Sequence, residues 1–126
     1  MTVKIFTLLL CFQISFAHAC QNSDKRWFLV GNSVSDITTS TLERELERFL
    51  STKPAGLLLP LDKYIFQYKF LQETKVKIHG LCIDEFNTDE LTDEFIVVRD
   101  GGNCFFSIDF DIRTKTFDHL NINGLA

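Results

Sequence analysis

From Tyr64 onward, apolar residues recur mostly at every second position; between Leu42 and Leu50 they recur at the period of a helix. Tyr64, Phe66, Tyr68 and Phe70 alternate with Lys63, Ile65, Gln67 and Lys69, which predicts a strand with its aromatic rings on one face. Gln72-Glu73-Thr74 reads as a turn. Val76, Ile78, Gly80 and Cys82 then alternate with Lys77, His79, Leu81 and Ile83. Asn87 to Asp93 is acidic and polar and reads as a loop, and the apolar, β-branched run from Glu94 to Val98 reads as a strand. Asp100-Gly101-Gly102-Asn103 interrupts it, either as a hairpin turn or as a bulge. Cys104, Phe106, Ile108, Phe110 and Ile112, opposite Phe105, Ser107, Asp109 and Asp111, form the longest alternation. Arg113 to Thr116 is a turn, and Phe117 to Ile122 a last strand.

The helical stretch lies at 40–53. Ser40-Thr41-Leu42-Glu43 has the form of a capping box, in which Ser40 bonds forward and Glu43 reaches back. Leu42, Leu46, Phe49 and Leu50 make one apolar stripe, and Glu43, Arg44, Glu45, Glu47 and Arg48 cover the other side. Arg44 with Glu47, and Glu45 with Arg48, are spaced to pair on a solvated face. Pro54 and Gly56 end the helix. Ahead of it, Trp27 to Val30 is either a short strand or the lead-in to the helix, and Gly31 to Asp36 has loop chemistry.

The first twenty residues change the picture. Lys4, an apolar run from Ile5 to Phe16 and the small residues of Ala17-His18-Ala19 read as an export signal cleaved after Ala19. The expected organisation is a signal at 1–19, a tether at 20–25 and one domain at 26–126. Cleavage removes Lys4 and no acid, leaving twelve basic and seventeen acidic residues, a formal charge of −5. An acidic domain without a basic cluster argues against nucleic acid and against electrostatic adhesion to anionic lipid.

Three cysteines remain after cleavage: Cys20, Cys82 and Cys104. An odd number in an oxidising compartment leaves one to be free, shared between chains or modified. Ala17-His18-Ala19-Cys20 resembles a bacterial lipobox, which implies a diacylglyceryl group on Cys20; plain secretion with Cys20 as first residue is the other reading. Cys82 and Cys104 both fall on apolar strand faces and are expected to pair as a structural disulfide. That bridge would be worth about 3 kcal/mol on the chain-entropy account. No Cys-x-x-Cys marks a redox pair. The expected location is the bacterial periplasm or envelope, lipid-anchored or secreted.

One helix followed by at least four strands predicts an α+β fold, an N-terminal helix packed on an antiparallel sheet of four to five strands. That element order is similar to cystatin and NTF2-like architectures. Asp100-Gly101-Gly102-Asn103-Cys104-Phe105-Phe106 and the ending Phe117 to Gly124 resemble small exported bacterial proteins of unassigned function, a likeness that implies the domain type and no activity. The Gln-x-Val-x-Gly loop of inhibitory cystatins is absent.

Candidate chemistry is sparse. His119 would lie near Asp109 and Asp111 if the last two strands pair, and an Asp–His pair can act as a base or bind metal. Asp109 and Asp111 share a face and could do acid/base work or hold a hard cation. His79 stands between Lys77 and Leu81. None of these has dedicated ligand spacing, so no catalytic residue, metal or cofactor is expected. Phe105, Phe117 and His119 are candidate interface residues. The function expected is a non-catalytic exported domain that binds a protein or envelope component, inhibitor-like or immunity-like. The rival is an NTF2-like small-ligand binder or enzyme with a pocket near His119 and Asp109.

Overall fold

The computed structural model describes residues 25–124, so the expected signal segment, Cys20 and most of the tether lie outside the described residues. Five strands form one sheet in chain order: β1 (Trp27–Leu29), β2 (Ile65–Gln72), β3 (Lys75–Leu81), β4 (Phe105–Asp111) and β5 (Thr116–Ile122). Helix α1 (Thr39–Leu50) connects β1 to β2, and a short helix α2 (Thr88–Asp93) lies between β3 and β4.

The fold is α+β as expected, but the sheet is mixed. β1 runs parallel to β2, with Trp27 opposite Phe66, and the other neighbours are antiparallel. The cause is the connection. A helix of about 18 Å carries the chain back to the end of the sheet where β1 began, so β2 sets off in the same direction.

Alternation places the core. Phe66, Val76, Ile78, Phe106, Ile108 and Phe110 face α1 and meet Leu42 and Leu46 from its stripe. Trp27 joins them, stacked on Phe66 with centroids 4.3 Å apart. Gly80 belongs to this face because a Cβ there would stand 2.1 Å from the Phe106 ring. The residue β3 lacks is filled by an aromatic ring from β4.

Helix α1 starts earlier than its capping box predicts. Thr38 is the N-cap, and its hydroxyl accepts from the Thr41 amide at 3.2 Å. Glu43 does not reach back, because its carboxylate takes hydrogen bonds from the Arg26 guanidinium and from the Trp27 indole N–H, the latter at 3.3 Å. Arg26 also donates to the Leu61 and Tyr64 carbonyls at 2.9 and 3.3 Å. The supposed cap thus ties β1 to α1 and to the start of β2. Glu45, expected in solvent, is buried and paired with Arg48 at 3.4 Å. The helix ends at Leu50, where the Ser51 and Thr52 hydroxyls donate to the Arg48 and Phe49 carbonyls.

The segment between β3 and β4 differs most from expectation. Asn87 to Asp93 is not a loop: Asn87 caps α2, its side chain accepting from the Asp89 amide at 3.0 Å. Nor is 94–98 a strand; it crosses the outer face of the sheet as an irregular strap. Gly101 and Gly102, at φ of +103° and +58°, lead into a tight turn at Gly102–Cys104 rather than a hairpin. A Cβ on Gly101 would lie 2.5 Å from the Phe105 ring, which excludes a larger residue as well.

Candidate functional site

The face of the sheet turned away from α1 carries the polar chemistry. Along β4, Phe105, Ser107, Asp109 and Asp111 point outward, opposite Leu81, His79, Lys77 and Lys75 of β3. Asp109 takes the Lys77 ammonium at 3.4 Å and the His119 Nδ1 at 3.2 Å. A bulge in β5 makes the second contact. Phe117 and Ile122 both turn to the core although five positions separate them, which a regular strand cannot do. One extra residue restores the phase, and His119 takes it at a φ of +56°. Asp118 and His119 then both stand near Asp109, with Asp118 3.8 Å from the imidazole.

The sequence placed Asp109 and His119 together correctly, but the constellation is open to water: the His119 side chain is 70% exposed. Asp111 instead closes the β4–β5 turn. Its carboxylate accepts from the Arg113 and Thr114 amides at 2.9 and 3.2 Å, and the Thr114 bond leads the causes that hold it below the ordinary value of 3.8. Among the described residues no group of three or more His, Cys, Asp and Glu side chains is arranged to hold a metal ion.

Phe105 and Phe117 do not share a patch. Phe105 packs on the outer face with Phe28, Ile65, Leu81 and Leu91. Phe117 lies on the α1 side, with ring centroids 5.0 Å from Phe49 and 4.6 Å from Phe110. Both are half-buried, and of the three expected interface residues His119 alone is exposed.

Gln67 organises the lobe that covers this face. It is fully buried in β2, and every polar atom of its side chain is used. Its Nε2 donates to the Leu91 and Glu94 carbonyls, both at 2.9 Å, and its Oε1 accepts from the Ile96 amide at 2.9 Å. One side chain thereby holds the end of α2 and the start of the strap, satisfying backbone groups that no ladder satisfies. Asn123 holds the other end by donating to the Val98 carbonyl. Between them, His79 stacks on Phe95 with centroids 4.0 Å apart and planes 9° from parallel. A disulfide between Cys82 and Cys104, with Cα atoms 5.0 Å apart, closes the base of the excursion. The bridge suggests an oxidising environment.

The lobe is strongly charged. Asp84, Glu85, Asp89, Glu90, Asp93 and Glu94 are all exposed, and no Lys, Arg or His interrupts them from Ile83 to Val98. Phe86 stands among them 41% exposed, its ring edge-on to Phe28. The acidic, polar composition of Asn87 to Asp93 reads as a loop, but these residues cap and form a helix. The Asn87–Glu90 spacing, a polar cap followed three residues later by Glu, was the signal for α2, and the sequence offered no signal for the buried Gln67.

A separate cleft of about 710 Å³ lies between the end of α1 and the loop carrying Leu57, Leu58, Leu59 and Leu61. Tyr64 fixes that loop, its hydroxyl accepting from the Leu59 amide at 3.1 Å and donating to the Asn103 carbonyl. Burial pushes the phenol above its ordinary value, so it remains a donor. Among the described residues no helix is long and apolar enough to cross a membrane.

No protein-family model matches this chain, and neither a curated protein nor a solved structure matches it.

Proposed function

We propose that the chain is a non-catalytic, exported binding domain whose docking surface is the acidic lobe of α2 and whose partner is a protein with a basic face. The observation that carries the reading is the run of six exposed carboxylates around exposed Phe86, on a lobe held by a disulfide and by Gln67. An apolar anchor within a charged rim is the usual anatomy of a protein interface. Carboxylates of one sign speed encounter with a cationic target and disfavour acidic competitors. A small acidic domain of this kind suits an inhibitor or immunity role against a basic envelope enzyme. Its expected place is the bacterial periplasm or envelope, reached through the signal at 1–19 and, in the lipoprotein reading, retained by a lipid on Cys20.

The test is capture from envelope extract by the mature domain, compared with the triple variant Asp89→Asn, Glu90→Gln, Asp93→Asn. A cationic protein held by the wild type at low salt, and lost both in the variant and at about 0.5 M salt, supports the reading. Identical capture by both proteins overturns it. The contact between His119 and Asp109 favours a second reading, a small-ligand site there. A ligand whose binding is lost in His119→Ala but kept in the triple variant would favour that site.

A further inference from the structure

We propose that His79 and Phe95 form a proton-operated latch, which closes the strap of residues 94–98 over the outer face at neutral pH and lets it lift when the imidazole takes up a proton. The inference goes beyond the binding reading and needs nothing from a partner. The strap has no strand ladder. It is held by Gln67 at its start, Asn123 at its end and the His79–Phe95 stack between. Val97 at its crown is 80% exposed. Between strap and sheet lies a cavity of about 240 Å³, lined by His79, Ile96, Val98, Phe105, Ser107 and Asn121. Ile96 packs on the small Phe28–Leu91 cluster, but beside it the strap spans a gap bordered by the imidazole.

Covering the ring strips water from it, and this is the largest of the causes that lower its pKa below 6.5. The Ile96 backbone and Asp109 act the other way, and Lys77 adds to the lowering. The charges facing the ring are few. Lys77 stands two residues away on β3 and is paired with Asp109 of β4, which is tied to His119 of β5; that imidazole in turn contacts Asp118. On β2 the register partner is neutral Gln67, and on β4 it is Ser107. Glu94, the first residue of the strap, and Arg99, just past its end, are both exposed. A closed strap that disfavours the proton must, by linkage, be disfavoured by it.

The experiment reads hydrogen exchange of the Ile96 amide, the donor to Gln67, in the mature disulfide-bonded protein at pH 7.5 and 5.5, with rates normalised to intrinsic exchange. The expected result is a fall in protection at pH 5.5 of up to about tenfold, the limit for a group whose ordinary value lies one unit higher. His79→Phe keeps a stacked ring without a titrating nitrogen and should remove the pH dependence; His79→Gln should do the same, and His119→Gln should leave it intact. Protection that is independent of pH in the wild type, that rises at pH 5.5 through attraction between the imidazolium and Phe95, or that falls equally in His79→Phe overturns the latch. Should either variant fail to fold, titration of the His79 imidazole in the wild type decides: a midpoint below 6.5 supports the latch, and one at or above it overturns it.

Discussion

The two faces of the sheet are held by different physics. On the α1 side, eleven of the described residues are buried in one continuous cluster from Trp27 to Ile122, with a fringe of half-buried leucines and aromatics. On the outer side, four are: Phe28, Ile65, Leu81 and Leu91. The first face is stabilised by area removed from water, which is non-directional and tolerates small shifts. The second has too little apolar area for that and relies on directed contacts: three hydrogen bonds of Gln67, the Asn123 bond, one ring stack and the Cys82–Cys104 bridge. A face built this way can open locally while the other remains folded. The acidic surface belongs to the less apolar side.

Substitutions on the α1 side should act on the whole molecule. Leu46→Ala empties a fully buried site and is expected to cost about 2–5 kcal/mol in global stability by denaturant titration, the range for large-to-small core changes. A loss under about 0.5 kcal/mol, the scale of an ordinary surface change, would mean that α1 is not part of the main core. Removing the bridge with Cys82→Ser and Cys104→Ser should cost about 3 kcal/mol on the chain-entropy account. It should raise hydrogen exchange in 83–103 well before it raises exchange in α1. Equal loosening of both regions would erase the distinction between the faces.

Gln67→Ala should cost about 1–3 kcal/mol, because two carbonyls and one amide lose their partner beneath the lobe. The sharper readout is local: exchange at Ile96 should rise while Val76 and Ile78, on the α1 side, stay protected. The smallest expected effect is that of pH. A histidine whose pKa is lowered in the folded state leaves stability intact above 6.5, and stability is lost as pH falls through the lowered value. Stability should therefore be modestly higher at pH 7.5 than at 5.5, and His79→Phe should flatten the curve. Asp111 has the same sign but acts below about 3.8, outside that window.

What could be read from residues alone follows the same division. Period-two alternation at Tyr64–Phe70, Val76–Cys82 and Cys104–Ile112 located β2, β3 and β4 and their inward faces, because a pleated strand must point alternate side chains to one side. The leucine stripe located α1, and strand position paired Cys82 with Cys104 and put His119 beside Asp109. Tertiary structure decided the rest. The parallel placement of β1 depends on where α1 delivers the chain. Glu43 left its cap because Arg26 and Trp27, seventeen and sixteen positions away, offered better donors. The apolar run at 94–98 looked like a strand, yet β3 and β4 had already paired with each other, and Gln67 supplied the hydrogen bonds that a neighbouring strand would have given. Alternation is a property of neighbouring positions and is written in the chain. The partner of a buried amide is chosen among groups brought together from far apart, and no local pattern records that choice.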